Sequence, residues 1–503
     1  MNAYGPSVAA SEHEPVLLRF DNTYVQLPER FYARCKPATP AAPATVQFNR
    51  GLATELGLPH LERARIAGVF SGWQVPQDAE PIALAYAGHQ FGHLVPQLGD
   101  GRAVLLGEVV DRNGVRRDVQ LKGSGMTPFS RGGDGRCPIG PAMREYLVSE
   151  AMHAMGVPTS RALALVTTGE RVRRETHLPG AVITRVAQSH VRVGTFEYFA
   201  VRGDVEALRI LADYVIDRHG LAGDDGENRY LALLREVVRR QAALIALWMN
   251  LGFIHGVMNT DNTTLIGETL DYGPCAFLDD YDAGACFSFI DQGGRYRYEN
   301  QPAVAQWNLM RLAETLLPLL DDDQDAAIEQ AQEAVSSFPA LYERDRLQGM
   351  RRKLGLFSEH PDDSTLMHDL LALLERQRVD YTRFFRRLGA IAVEPNLDSS
   401  VRKLFSAPDD WEQWYTRWLE RLRRDSGRST ERMRAMHRVN PAVVPRNHAV
   451  NAAIKAAEQH GDLAPFQELL SRVTQPFADH PEDADGARPP EARERVLRTF
   501  CGT

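Results

Sequence analysis

The feature that most constrains this chain is an ordered series of chemistry-bearing residues between Gly99 and Gly273. It begins with Gly99-Asp100-Gly101-Arg102, just ahead of an apolar run over 103–110. Asp111-Arg112-Asn113-Gly114 reads as a hairpin turn, and 118–122 as the returning strand, ending on Lys122. A loop of Gly, Ser, Pro, Arg and Asp over 123–141 leads into a helix over 142–155 that carries Glu145 and stops at Gly156-Val157-Pro158. Two prolines and a glycine in 137–141 predict a late start for that helix. Apolar runs at 162–166 and 181–186 complete a first half of α+β character.

From about residue 205 the periodicity is mainly helical. Asp204 can cap a helix over 205–218. A long helix over 229–249 repeats Leu234, Val237, Val238, Ile245 and Trp248 on one face. Segments 306–320 and 323–336 follow, and helix dominates as far as 470. Residues 250–281 are dense in Gly, Asn and Asp and read as a loop system, 36–43 as an extended loop, and 478–503 as a Pro-rich tail. The expected regions are an N-terminal extension (1–60), a β-rich unit with the glycine loop, lysine strand and glutamate helix (61–200), a unit with catalytic and metal loops (201–325), a helical region (326–480) and a tail (481–503).

A Gly-x-Gly pair alone is a β-turn as readily as a phosphate loop, and a lone Lys122 or Glu145 is most simply a surface residue. Their order matters more. Protein kinases hold phosphates with a strand lysine paired to a helix glutamate. They then use H-R-D-x-x-x-x-N, where Asp orients the hydroxyl, and D-F-G, whose Asp joins the Asn on Mg²⁺. Here His255-Gly256-Val257-Met258-Asn259-Thr260-Asp261-Asn262 and then Asp271-Tyr272-Gly273 supply the same residue types in the same order, with Asp261 and Asn262 adjacent. Oxygen ligands of this kind suit Mg²⁺ or Mn²⁺; the plainer reading is a cluster of Asx turns. Arg185 and Arg192 flank Ser189-His190 and can clamp a polyphosphate, or simply sit in surface ion pairs. Trp411, Trp414 and Trp418 read as a core stripe of one helix, and His89 and His93, interrupted by Gly92, as a poor zinc pair.

Composition removes several classes. Lys and Arg number 58 against 66 Asp and Glu, a net charge of −8, which argues against a nucleic-acid partner. Five cysteines (Cys35, Cys137, Cys275, Cys286, Cys501) are too few and scattered for a disulfide scaffold. Residues 1–15 lack a basic segment followed by an apolar run, and the most apolar stretch, 241–258, contains Asn250 and His255. The expectation is a cytoplasmic monomer that does not enter the membrane.

On these residues the chain resembles the selenoprotein O (SelO/YdiU) family. The stretches that carry the resemblance are 86–93, 96–102, 120–125, 134–136, 255–262, 271–274 and 300–303, with Asn440-Pro441 and Arg446-Asn447 further on. The resemblance implies a protein-kinase-like bilobal fold with an additional, mostly helical C-terminal region. It implies metal-dependent transfer of AMP from ATP to Ser, Thr or Tyr hydroxyls of proteins, with ATP flipped relative to kinases. Under it, Gly99, Gly101, Arg102, Lys122, Asp134, Gly135, Arg185, Arg192 and Asp271 line the nucleotide. Glu145 pairs with Lys122, Asn262 and Asp271 hold Mg²⁺ or Mn²⁺, and Asp261 accepts the proton. The resemblance also implies a redox link from Cys501 to Cys286, with Cys275 as rival. The same site could instead transfer UMP. A kinase moving the γ-phosphate is disfavoured by the missing H-R-D spacing. A pseudokinase scaffold is disfavoured because Lys122, Glu145, Asp261, Asn262 and Asp271 are all retained.

Overall fold

Two long runs of β-branched and aliphatic residues build the first layer. The computed structural model describes residues 18–221, 223, 226–392, 398–425 and 429–500. Its strands are β1 (Tyr32–Arg34), β2 (Ala44–Phe48), β3 (Ile82–Leu84), β4 (Gly88–Gln90), β5 (His93–Val95), β6 (Ala103–Val110), β7 (Arg116–Lys122), β8 (Cys137–Pro138), β9 (Arg161–Arg173) and β10 (His177–Ala187), followed by β11 (Phe253–Ile254) and β12 (Ala276–Phe277). An antiparallel sheet runs in the order β1-β3-β6-β7-β10-β9-β2, with β8 on the edge of β10. The β6–β7 turn forms where the sequence places it, with the Asp111 carboxylate accepting from Asn113 N and Val115 N. β6 is buried along almost its whole length, which explains why it is apolar on both faces rather than alternating; its one charged residue, Glu108, is buried and accepts from Thr23 and Tyr24. β4 and β5 form a separate small hairpin.

The helix carrying Glu145 spans Ile139–Ala154, so it begins three residues before the expected start. Gly140 and Pro141 lie in its first turn. There the N–H groups have no intrahelical acceptor, so proline removes no bond. This helix packs on the sheet and is gripped from the other side by the helices Asn447–His460 and Ala464–Val473. Arg144 reaches across to Asn447 and Asn451, at 3.1 and 2.7 Å.

The remaining helices form close to expectation. Asp204 caps Val205–His219 by accepting from Ala207 N, and Arg229–Leu251 runs through the large core. Gln301–Leu320 starts five residues before the expected 306, with Pro302 in its first turn. Trp411, Trp414 and Trp418 are fully buried, and their stripe is core. Trp414 and Trp418 donate to the carbonyls of Leu366 and Leu354. The proline-rich end does not hang free. Ala484 and Ala487 are buried, Arg488 pairs with Glu494, and Thr499 bridges to Ser288 beside the loop system. Among the described residues no helix is long and apolar enough to cross a membrane.

One buried cation ends the helix Phe338–Lys353. The Lys353 ammonium lies 4.0 Å from the Phe385 ring centroid and 5.1 Å from that of Tyr381, with no carboxylate partner among the described residues. Burial lowers its pKa from the ordinary 10.5 to about 7. The unfolded chain therefore binds the extra proton between these values. Stability from this group is complete above about 10.5 and is lost as pH falls toward 7, by up to about 1.4 kcal/mol per pH unit. Lys353→Met is expected to raise the thermal midpoint at pH 7, with the gap to the parent narrowing by pH 10. A gap that stays constant with pH would show that Lys353 titrates normally.

Candidate active site

Strand register sets the first half of the site. Lys122 ends β7, and Arg185 on β10 stands directly opposite Gln120, so the two basic side chains share one face as a diagonal pair. The Lys122 ammonium donates to Glu145 Oε2 at 2.7 Å and also to Asp271 Oδ1. Arg185 donates through Nε to Glu145 and through Nη2 to Asp271 Oδ1 at 2.7 Å. Two cations and two carboxylates thus form a square that is buried at Lys122, Glu145 and Arg185 and partly open at Asp271. Burial by itself would raise the pKa of Asp271. Arg185, Lys122 and Arg102 overcome it and hold this carboxyl well below the ordinary range. Glu145 is likewise held down by Arg185 and Lys122 against its own burial. Asp271 has φ of +71°, a left-handed backbone that costs a non-glycine residue roughly 1–2 kcal/mol. It is kept there by Tyr272, whose buried hydroxyl contacts Thr159, and by the lysine and arginine contacts.

The second half is the turn Thr260–Asn262. Three elements press on Asp261. Gly88 of β4 lies so close that a Cβ there would sit 2.5 Å from Asp261 Oδ1. Gly194, in the first turn of the helix Val193–Ala200, would place one 3.3 Å from Asp261 Cα. The Arg192 guanidinium donates to the Asp261 carbonyl at 3.1 Å. The carboxylate itself meets little: Gln90 Nε2 approaches Oδ2 at 3.4 Å, and Oδ1 is buried without a hydrogen-bond partner. Burial raises its pKa from 3.8 to about 7, with Arg192 opposing. Asn262 donates its amide to the Val257 carbonyl at 3.0 Å, and its Oδ1 accepts nothing among the described residues. His255 ties the two loops together. Its Nε2 lies 3.0 Å from the Leu270 carbonyl, Nδ1 faces Val257 N, and its ring stacks on Trp248. Burial lowers its pKa, which fits this neutral tautomer.

The other expected residues separate into two groups. Gly99 has φ of +74°, and a Cβ there would fall 2.3 Å from the Phe129 ring; a Cβ at Gly101 would lie 2.8 Å from the Phe129 carbonyl oxygen. These glycines therefore let the 127–130 loop lie flat against the strand entry. Arg102 Nη1 and Arg192 Nη2 are buried and make no hydrogen bond; the nearest carboxylate oxygen to Arg192 is Asp100 Oδ1 at 3.8 Å. Both guanidinium groups act electrostatically on Asp271. Asp134 is held by Arg174 at 2.8 and 3.1 Å, and Gly135 packs on the Gly125 carbonyl.

Three partners were missed by sequence reasoning. Tyr86 lies under Arg192 with its ring centroid at 4.2 Å, and Gln90 faces Asp261. His89, weighed in the sequence only as a zinc ligand, bonds Glu197 instead; Glu197 also accepts from Thr260. The signal for all three was the density of glycines and polar residues in 86–93. Cys286 is half-buried beside Asp291, and burial together with that carboxylate pushes its thiol up to about 11. Cys275 is buried and makes no disulfide; Cys501 lies outside the described residues.

Comparison with known proteins shows the family of the chain. The family model described as "Protein adenylyltransferase SelO" matches residues 15–474. A relative from Bradyrhizobium sp. (strain ORS 278), named protein nucleotidyltransferase YdiU, is 57% identical over 96% of this chain and 99% of its own length. Relatives of the same name from Rhizobium meliloti (strain 1021) and Methylorubrum populi are 55% and 54% identical, over 96% and 97% of this chain and 99% of theirs. The class is therefore an enzyme, a nucleotidyltransferase. Within that class, the chain belongs to the SelO family.

Proposed function

We propose that the protein transfers AMP from ATP to Ser, Thr or Tyr hydroxyls of other proteins, on a kinase-like arrangement with the nucleotide reversed. The observation that carries this reading is the pair of bare guanidinium nitrogens, Arg102 Nη1 and Arg192 Nη2, buried next to the Lys122–Glu145–Arg185–Asp271 square. Buried cationic donors without acceptors are costly, and a polyphosphate supplies the missing acceptors.

Divalent metal fits the residues present. Among the described residues no group of three or more His, Cys, Asp and Glu side chains is arranged for a metal. A hard cation needs fewer protein ligands when phosphates and water complete its shell. Asn262 through its unengaged Oδ1 and Asp271 through its ionised carboxylate would hold Mg²⁺ or Mn²⁺, which neutralises charge on the phosphates. The acceptor oxygen then attacks the α-phosphorus, the bond to the bridging α–β oxygen breaks, and pyrophosphate leaves. Asp261 takes the hydroxyl proton, and Arg192 fixes that residue through its backbone carbonyl.

Labelled nucleotides test the reading. With Mg²⁺ or Mn²⁺, label from α-labelled ATP is expected on protein, and none from γ-labelled ATP. Label from γ alone would make the protein a kinase. Stronger labelling from α-labelled UTP than from ATP would replace AMP with UMP. No label from any of the three would leave a scaffold.

A further inference from the structure

The hairpin β4–β5 touches more than Asp261. Two residues beyond Gln90, Gly92 backs onto Arg295: a Cβ at Gly92 would lie 3.5 Å from Arg295 Cζ. Arg295 is seated on aromatic rings, with its Cζ 4.8 Å from the Trp307 centroid and 5.8 Å from that of Tyr296. Its backbone N–H goes to Asp291, and its guanidinium neighbours the Tyr296 hydroxyl. No carboxylate pairs with that guanidinium among the described residues, and Nε is buried without a partner. Arg311 lies over the same indole at 5.0 Å. Its Nη2 pairs with Glu314, and its Nε is bare as well. Other acids of these segments are occupied: Glu197 by His89 and Thr260, Glu299 by Arg297, and Asp291 by the backbone N–H groups of Arg295 and Tyr296. The cluster is tied to the catalytic turn, because the Tyr296 hydroxyl donates to Asn259 Oδ1 at 2.6 Å, and Phe91 N reaches the same oxygen at 3.2 Å.

An uncompensated arginine held rigid on aromatic faces is a recognition device for an anion. Here it stands one hairpin turn from Asp261. We propose that Arg295, seated on Trp307 beside the Gly88–Val95 hairpin, selects acceptor segments that carry an acidic side chain close to the modified hydroxyl. The inference rests on the reading of Asp261 as the residue that faces the acceptor. An extended segment advances roughly 3.3 Å per residue, so the selected acid falls within a few positions of the hydroxyl.

The test uses synthetic peptides with one hydroxyl acceptor, scanned with Glu, Ala or Lys at each flanking position, and α-labelled ATP. With the wild-type protein, kcat/KM for at least one Glu position is expected to exceed that of the Ala peptide by about tenfold, through KM. Arg295→Lys should keep the sign of that preference but only part of its size, because an ammonium lacks the planar fork that stacks on the indole, and Arg295→Glu should invert it toward the Lys peptides. Misfolding lowers every rate together and cannot invert a ratio. Equal rates on Glu, Ala and Lys peptides would overturn this inference and leave the transfer reading standing. So would label confined to the protein itself, with none on any peptide. No label anywhere would overturn both.

Discussion

Asp261→Asn is expected to lower nucleotidyl transfer by about 10²–10⁴-fold, the range a positioned proton acceptor contributes. Affinity for a non-reacting ATP analogue should change little, because Lys122, Arg185, Arg102 and Arg192 are untouched. The substitution keeps the shape of a side chain pressed against Gly88 and keeps the Gln90 contact. It removes a carboxyl whose Oδ1 is buried without a partner and whose pKa burial has raised to about 7. Stability should therefore hold or rise while activity falls, the usual sign of a group kept for chemistry at a cost to the fold. Labelling within threefold of the parent would end the assignment of Asp261 as proton acceptor.

Arg446→Met should produce the largest loss of stability. The guanidinium is fully buried, and donates to Asp279 Oδ1 at 2.6 Å, Asp380 Oδ1 at 3.0 Å and the Gly486 carbonyl at 3.2 Å. These acceptors come from the loop after the site, from the residue capping the helix Tyr381–Ile391, and from the C-terminal segment. Burial already raises the pKa of Asp279 despite Arg446. Without the arginine two buried carboxylates lose their counter-charge, at a cost of about 3–5 kcal/mol. Urea unfolding measures it. Adding Asp380→Asn to Arg446→Met should recover part of the loss, because the orphaned charge goes with it. A single-variant loss under about 1 kcal/mol would show that water reaches the triad and that it holds little of the fold together.

Much of the candidate site was legible because it is written in local order. The β6–β7 turn, Lys122 at a strand end, Glu145 on the following helix and the Asp261-Asn262 to Asp271 series all depend on short-range chemistry. Asp111 closes its turn with its own carboxylate, and Asp204 caps its helix three residues on. The start of the Glu145 helix was misjudged for a physical reason. Proline at 141 breaks a helix interior, yet it is harmless in a first turn, and only the sheet and the helix Asn447–His460 decide which of these it occupies. The packing of the C-terminal segment is not written locally either: nothing in Thr499 points to its partner Ser288, more than two hundred residues away.

The sequence by itself determined the α+β character, through periodicity and turn chemistry, and its ordered motifs carried the resemblance to the family and the residue types of the candidate site. Tertiary structure alone decided the partners. It joined Arg185 to both Glu145 and Asp271, left Arg102 and Arg192 with bare nitrogens, gave Asp134 to Arg174, and pressed Gly88 onto Asp261. These are contacts between segments far apart in the chain. Their geometry comes from how the sheet, the loops and the C-terminal helices pack, which no local pattern encodes.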